Sequence, residues 1–185
     1  MSRLVMWNLI TLDGYFEGAK PWDLEFHNAV WGDELERLSI EQLDAADRLI
    51  FGRATYEGMA AYWQTATGAV ADRMNAIPKV VCSRTLRRAD WRNTTLVNGD
   101  AAAAVRELKR QGDRLSLVFG SADLSATLVA ADLFDEYRLC VAPVILGRGA
   151  PLFGRDLAMK RLRLIDSRAL ANGGVLLRYA PEPAA

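Results

Sequence analysis

Residues 49–56 read LIFGRATY, an apolar strand that runs through a glycine into a helix. A helix start offers N–H groups without intrahelical partners and the positive end of the helix dipole, and Gly52 lets an anion approach the backbone. Arg53 and Thr55 add a charge and a hydroxyl in the first helical turn. The stretch therefore indicates a phosphate-binding site, although a plain strand-to-helix turn with a solvated arginine would have the same sequence.

A second junction of the same kind lies at residues 117–121, LVFGS, before a helix at 121–131. Gly120 exposes backbone N–H groups and Ser121 can cap the helix or bind an anion. In a parallel sheet both junctions would lie at the carboxyl ends of the strands, where open α/β sheets bind ligands. The pair indicates a pyrophosphate site, but no G-x-G-x-x-G is present, which disfavours a standard Rossmann domain.

A third polar segment, residues 83–85 (SRT), directly follows a predicted strand, with Arg87 and Arg88 close behind. A planar guanidinium beside hydroxyl groups suits a phosphate monoester, such as the 2′-phosphate of NADPH. The alternative interpretation of Ser83 and Arg84 is a polar turn with an exposed arginine.

Two acidic segments are candidates for the substrate end of a cleft. Asp13-Gly14 follows the first predicted strand, and Asp135-Glu136 precedes a later one. A carboxylate that faces the cleft could bind the amino groups of a heterocycle. The alternatives are a simple Asp-Gly turn and a polar strand entry on the surface.

The elements alternate along the chain. Apolar runs predict strands at residues 3–10, 47–51, 78–82, 94–97, 115–119 and 137–146. Helical spacing or alanine-rich composition predicts helices at 33–46, 53–62, 68–76, 100–111 and 121–131. Two alternating runs at 160–168 and 174–180, separated by Asn172-Gly173, predict a hairpin. Together these elements predict one α/β domain over residues 1–180, with a mostly parallel sheet, an antiparallel edge and a short tail at 181–185.

Composition bounds the function. Lys plus Arg and Asp plus Glu are both 23, so no excess charge would attract nucleic acid or an anionic membrane at long range. No run approaches the roughly 20 apolar residues of a membrane helix, and the N-terminus reads as a strand rather than a leader peptide. We expect a soluble, cytoplasmic protein that binds neither nucleic acid nor membranes.

The cysteine and histidine content argues against metal and triad chemistry. Cys82 and Cys140 lie in apolar strand-like runs, where a thiol acts as a small hydrophobe. His27 is the only histidine and has no nucleophile signature near it. We therefore expect no metal site and no Ser-His-Asp apparatus.

In order and spacing, these segments resemble the RibD C-terminal reductase-domain family of riboflavin biosynthesis, within the broader dihydrofolate-reductase-like superfamily. The resemblance spans residues 3 to 153. Its pieces are TLDG at 11–14, GRATYE at 52–57, KVVCSRTL at 79–86, VFGS at 118–121, LFDE at 133–136 and PVILGRGAPLF at 143–153.

The resemblance implies a dihydrofolate-reductase-like three-layer α/β/α fold with NADPH across the strand ends. It assigns the cofactor to Gly52, Arg53, Thr55, Ser83, Arg84, Gly120 and Ser121, and the substrate end, with any assistance to protonation, to Asp13 and Glu136. It further implies hydride transfer to a C=N or C=O carbon of a small heterocycle, as in 5-amino-6-(5-phosphoribosylamino)uracil reductase, and a homodimer. Dihydrofolate reduction and a non-catalytic nucleotide-binding module are the alternatives.

Overall fold

The computed structural model describes residues 1–154 and 157–182. The helices are α1 (Asp33–Ala45), α2 (Arg53–Trp63), α3 (Ala69–Ala76), α4 (Ala101–Gln111) and α5 (Ala122–Ala130), with a short 3-10 helix at Glu25–Ala29. The strands are β1 (Arg3–Thr11), β2 (Tyr15–Glu17), β3 (Ala46–Gly52), β4 (Lys79–Cys82), β5 (Thr94–Val97), β6 (Leu115–Phe119), β7 (Glu136–Ala142), β8 (Ala150–Pro151), β9 (Leu162–Ala169) and β10 (Val175–Pro181).

Eight of these strands form one sheet in the order β5-β4-β3-β6-β1-β7-β10-β9. All neighbours from β5 to β7 run parallel, whereas β10 is antiparallel to both β7 and β9. Gly173 has a φ of 89°, in the left-handed region that glycine adopts without strain, and closes the β9–β10 turn. The predicted mixed, mostly parallel sheet with a C-terminal antiparallel hairpin is confirmed.

Helices cover both faces of the sheet. Side chains of α1, α2 and α3 pack with β3 on one face, and side chains of α4 and α5 pack with β1 and β6 on the other. Side chains of successive strand residues point to opposite faces of the sheet. Phe51 therefore packs in the core that contains α1, α2 and α3, and Ile50 packs in the core that contains α4 and α5. The result is the three-layer α/β/α arrangement that the resemblance implies.

One predicted strand is too long. The run at 137–146 was expected to be extended throughout, but β7 ends at Ala142. Pro143 has no N–H for the ladder, and the Val144 N–H donates to the Ala142 carbonyl at 2.8 Å. The chain therefore turns away from the sheet there, which allows a second, two-stranded sheet of β2 and β8 that the sequence did not predict.

The predicted tail begins later than expected. Strand β10 continues to Pro181, and the Glu182 N–H donates to the Arg161 carbonyl at 3.0 Å. Residues 183–185 of the predicted tail lie outside the described residues. Among the helices that the structure describes, none is both long and apolar enough to cross a membrane.

Candidate functional site

The parallel strands β1, β3, β4 and β6 all end at one side of the sheet, which we term the carboxyl edge. β3 leads through Gly52 into α2, and β6 leads through Gly120 and Ser121 into α5. Because β3 and β6 are neighbours, the amino ends of α2 and α5 lie side by side at this edge. Helix starts at the carboxyl ends of parallel strands are a common ligand site in open α/β sheets.

Two hydroxyl groups fix these helix starts against each other. The Gly52 N–H donates to Ser121 Oγ at 3.0 Å, and the Ser121 N–H donates to Thr55 Oγ1 at 2.8 Å. Both hydroxyl side chains are buried. Each oxygen therefore accepts a backbone N–H, and each O–H proton is left without an acceptor among the described residues, ready to donate to a ligand.

The turn into α5 has an unusual backbone. Gly120 and Ser121 both adopt left-handed conformations, with φ of 51° and 55°. A Cβ on Gly120 would also approach the Thr55 side chain to 3.1 Å, so both backbone and space favour glycine. The Ser125 N–H donates to the Ser121 carbonyl, which leaves the N–H groups of residues 122–124 without intrahelical acceptors. These donors and the helix dipole favour an anion.

The segment after β4 lies at the same edge, one strand beyond β3. Ser83 Oγ accepts the N–H groups of Thr85 at 3.2 Å and Leu86 at 2.9 Å, so this hydroxyl shapes the turn. Arg84 is exposed and has no ion pair or hydrogen bond to the residues that the structure describes. Its guanidinium is available to a ligand, whereas Ser83 is partly committed to its own loop.

Arg53 is exposed at the first position of α2 and lies 3.3 Å from the Glu57 carboxylate, one turn along the helix. An exposed pair of this spacing is weak and is readily exchanged for another partner. The structure thus brings Gly52, Arg53 and Thr55 together with Gly120 and Ser121, with Ser83 and Arg84 farther along the edge.

Asp13 follows β1 at the carboxyl edge and acts as a loop clamp. Its carboxylate accepts the Thr11 hydroxyl at 2.6 Å, the Leu146 N–H at 3.1 Å and the Gly147 N–H at 2.7 Å. The Thr11 hydroxyl, together with the Gly147 and Leu146 N–H groups, lowers the pKa of Asp13 to about 2. Asp13 is therefore ionised near neutral pH, where it can position the 146–147 loop but cannot serve as a proton donor.

Glu136 does not lie with these residues, and the expectation that it faces the substrate end requires correction. It is the first residue of β7 and lies opposite Val5, near the start of β1. Six residues separate Val5 from Thr11, which at about 3.3 Å per residue is about 20 Å. We term this opposite side of the sheet the amino edge. The sequence places Glu136 directly before an apolar strand, and the start of a parallel strand is remote from the carboxyl edge.

At the amino edge the Glu136 carboxylate is fully buried. Its partners are three guanidinium groups, each at 2.7 Å: Arg3, Arg138 and Arg178. Burial alone would raise the pKa of Glu136, but the hydrogen bonds and charges of Arg138 and Arg178 lower it to about 2. This carboxylate therefore joins β1, β7 and β10 rather than serving the candidate site.

Asn8 is a residue at the carboxyl edge that the sequence reasoning missed. It is 5% exposed, and its Oδ1 accepts the Gly120 N–H at 2.6 Å. In a parallel ladder of this register that N–H would instead donate to the Trp7 carbonyl. Asn8 thereby ends the pairing of β1 with β6. The signal was a polar amide inside the otherwise apolar run RLVMWNLI.

Beyond the end of this pairing, one side of β1 has no neighbouring strand, and we term this gap the crevice. β6 stops at Phe119, opposite Trp7, while β1 continues for four residues beside β7. The Arg3 N–H donates to the Arg114 carbonyl, which precedes β6, and the Leu4 carbonyl accepts the Asp135 N–H, which precedes β7. The N–H and C=O groups of successive strand residues alternate sides, so those of the odd-numbered residues of β1 face β6. The Leu9 N–H and C=O consequently face a side on which no described strand lies opposite.

The segment 18–24 packs on α2. Trp22 has a φ of 63°, and its indole lies where a side chain on Gly58 of α2 would be. The Glu17 carboxylate accepts the Trp22 N–H. The segment therefore links the carboxyl end of β1 to α2, the helix that follows β3 on the other side of β6. The sequence reasoning missed Trp22, for which the signal was a tryptophan in a polar loop.

Known proteins are similar to this chain in sequence and in fold. A family model described as the RibD C-terminal domain matches residues 3–176. The uncharacterized protein YyaP of Bacillus subtilis (strain 168) is 25% identical over 185 residues, which cover 96% of this chain and 94% of YyaP.

Two solved structures show the same fold. A candidate riboflavin biosynthesis protein from Shewanella sp. PV-4 aligns with a TM-score of 0.79 and 21% identity, over 97% of this chain and 99% of that one. Dihydrofolate reductase from Enterococcus faecalis, complexed with NADP(H) and RAB-propyl, aligns with a TM-score of 0.64 and 12% identity, over 97% and 96% of the two chains.

At these identities the structural alignments establish the fold, which is dihydrofolate-reductase-like. The family model adds more, because its match runs from the first residue of β1 into β10 and includes every segment of the candidate site. The chain belongs to the RibD C-terminal domain family.

Proposed function

We propose that this chain is an NADPH-dependent reductase that transfers a hydride to a C=N or C=O carbon of a small heterocyclic substrate. The reaction would resemble that of 5-amino-6-(5-phosphoribosylamino)uracil reductase in riboflavin biosynthesis. One observation carries the proposal: the amino ends of α2 and α5 are joined at the carboxyl edge through Ser121 and Thr55. Donors from two helices then converge where a diphosphate can accept them.

The residues at this edge fit a phosphorylated dinucleotide. The diphosphate would be held by the starts of α2 and α5, with Gly52, Arg53, Thr55, Gly120 and Ser121. The Ser121 and Thr55 hydroxyl protons and the first N–H groups of α5 have no acceptor among the described residues, so they can donate to phosphate oxygens. The dihydrofolate reductase of E. faecalis, whose fold is the same, is complexed with NADP(H).

The 2′-phosphate would be held by the turn after β4. Ser83 fixes the turn through its bonds to Thr85 and Leu86, and Arg84 projects from it with no partner among the described residues. A guanidinium can form paired, charge-assisted hydrogen bonds with a phosphate monoester. A site of this composition favours NADPH over NADH.

The crevice between β1 and α5 suits the reactive end of the cofactor. The Leu9 N–H and C=O offer one donor and one acceptor side by side, which is the complement of a primary carboxamide such as that of nicotinamide. When bound, NADPH supplies a hydride to the substrate carbon. The protein contributes orientation through these backbone groups and limits access by water with the 18–24 segment.

Asp13 would position the substrate end without donating a proton. Its carboxylate holds the Leu146 and Gly147 N–H groups and stays ionised, so the proton for the reduced substrate would come from water. The substrate class, a small heterocycle with a reducible C=N or C=O bond, rests on the family resemblance.

The experiment is a stopped-flow screen of NADPH oxidation by the purified chain. Its arms are a ribosylamino-pyrimidine, dihydrofolate and small carbonyl compounds. We expect oxidation with the ribosylamino-pyrimidine or a related heterocycle. Turnover of dihydrofolate alone would favour the alternative activity, and binding of NADPH without turnover in any arm would favour a non-catalytic nucleotide-binding module.

The proposal includes a homodimer. Strand β9 forms one edge of the sheet, and all of its residues are exposed, among them Leu162, Leu164 and Ile165. An exposed edge strand with apolar side chains is an aggregation hazard unless another surface covers it. Light scattering at micromolar concentration should give twice the chain mass of 20.5 kDa, and a monomer mass would contradict the dimer.

A further inference from the structure

Two buried side-chain amides carry an NH2 group without a hydrogen-bond acceptor in the described ranges 1–154 and 157–182: those of Asn8 and Gln42. Both residues are at most 5% exposed. A buried donor without an acceptor costs free energy, so each such group requires an explanation. The pair is informative because the two amides lie at opposite edges of the sheet.

Gln42 belongs to the amino edge. Its Oε1 accepts Arg138 Nη1 at 3.0 Å, and Arg138 is one of the partners of Glu136. The charged groups next to it, Glu136, Arg138 and Arg178, are already paired with each other. Gln42 therefore serves as a reference: a buried amide whose oxygen is used and whose NH2 is not, far from the candidate site.

Asn8 has the same local bonding but different neighbours. Its Oδ1 is identified by the Gly120 N–H, which needs an acceptor, so the NH2 group is the other arm of the amide. Asn8 shares a face of β1 with Met6 and Ile10, which pack with Leu124 of α5. The NH2 group is thus held at the first turn of α5, next to backbone N–H groups that also lack acceptors.

A cluster of donors without acceptors is the composition of an anion site. We infer that Asn8 Nδ2 donates a hydrogen bond to a diphosphate oxygen of the dinucleotide held at the start of α5, and that this residue contributes to nucleotide affinity. The inference rests on the proposed function. Asn8 would then have two roles. Its Oδ1 ends the β1–β6 pairing by accepting the Gly120 N–H, and its Nδ2 donates to the diphosphate of the dinucleotide.

The test compares Asn8→Asp with Gln42→Glu. Each variant replaces an orphan NH2 group with a carboxylate oxygen and keeps the acceptor oxygen that the fold uses. Calorimetry would titrate NADP+ and its 2′-phospho-ADP-ribose fragment, which keeps the diphosphate and lacks nicotinamide. We expect Asn8→Asp to weaken both ligands by at least about tenfold, because it loses a donor and adds repulsion, and Gln42→Glu to leave both affinities unchanged.

The pH dependence gives a second readout. A carboxyl group at position 8 that becomes protonated regains a donor and loses its charge, so the defect of Asn8→Asp should shrink between about pH 8 and about pH 5 relative to wild type. Thermal melts would check folding. If Asn8→Asp does not fold, Asn8→Ser removes the NH2 group without adding charge and should still weaken both ligands by about fivefold.

The outcomes separate the two proposals. A wild type that binds neither ligand overturns the proposed function and this inference with it. A wild type that binds both ligands, with Asn8→Asp equal to Gln42→Glu, overturns the inference alone. A loss confined to NADP+ also overturns it, because the donor would then contact the nicotinamide half rather than the diphosphate.

Discussion

At the amino edge of the sheet the Glu136 carboxylate is enclosed by three arginine side chains, whereas at the carboxyl edge the amino ends of α2 and α5 meet around the Ser121 and Thr55 hydroxyl groups. Both edges contain arginines and a carboxylate whose pKa is lowered to about 2. The difference lies in where the unpaired groups sit relative to a helix start. At the amino edge the unpaired Gln42 NH2 group lies beside this ion-pair network, while at the carboxyl edge the unpaired Asn8 NH2 group lies near the start of α5 and Arg84 has no partner among the described residues.

This contrast shows that a perturbed carboxylate does not by itself identify a ligand site. The low pKa of Glu136 reflects an ion-pair network that joins three strands. The low pKa of Asp13 results from its hydrogen bonds with the Thr11 hydroxyl and with the Gly147 and Leu146 N–H groups at the surface. The proposed binding edge differs in having its unpaired donors beside helix starts at the carboxyl ends of parallel strands.

The largest expected effect is on folding at the amino edge. Glu136→Gln leaves three guanidinium groups without their counter-charge, and breaking a buried ion pair costs about 3–5 kcal/mol of unfolding free energy. Urea denaturation should show this loss, while NADPH binding by the folded fraction is retained. Asp13→Asn is the matched control at the other edge and should change the unfolding free energy far less. Loss of NADPH binding by folded Glu136→Gln would contradict the separation of the two edges.

The same group predicts acid sensitivity. The pKa of Glu136 falls from an ordinary 4.5 to about 2 in the folded chain, so its contribution to stability is complete above pH 4.5 and is lost as the pH falls toward 2. Thermal melts across this range should show a steeper loss for wild type than for Glu136→Gln. Equal slopes in the two proteins would contradict the structural role of the carboxylate.

A smaller effect is expected for Arg84→Ala at the carboxyl edge. A charge-assisted contact is worth roughly 1.5–3 kcal/mol, so NADPH should bind roughly ten- to a hundredfold more weakly while NADH binding is almost unchanged. Arg87→Ala is the matched control, an exposed arginine on the same segment. Fluorescence titration with both nucleotides measures the difference. An equal loss of NADPH affinity in the two variants would contradict a specific contact of Arg84 and would indicate that the positive charge of the whole segment attracts the nucleotide.

The smallest effect is expected for Asp13→Asn. The amide keeps one acceptor oxygen but cannot hold the Thr11 hydroxyl and both the Leu146 and Gly147 N–H groups as the carboxylate does. We expect a few-fold fall in kcat on an identified substrate with no change in the Kd for NADPH. Full activity of the variant would remove Asp13 from the substrate end.

The fold followed from local patterns in the sequence. Apolar runs and glycines predicted β5 and β6 with their observed bounds and placed both strand-to-helix junctions correctly. Two errors had local causes: Pro143, which lacks an N–H, ended β7 early, and the strands β2 and β8 are too short to show a period.

The site was harder to predict than the fold, because contacts between distant segments are not visible in a local pattern. Asp13 follows β1 and Glu136 begins β7, and the parallel pairing of these two strands puts the two residues at opposite edges. Asn8 lies 112 residues from Gly120 in the chain, and the bond between them appears only in the folded protein.

The most direct test of the carboxyl edge as an NADPH site is the affinity of the wild-type chain for NADPH and NADH, measured by calorimetry in one buffer. The turn after β4 offers Arg84 to a 2′-phosphate and has no acidic side chain at residues 83–88 to hold a ribose 2′-hydroxyl. The account predicts that NADPH binds at least about tenfold more tightly than NADH. Equal affinity for the two nucleotides would contradict it.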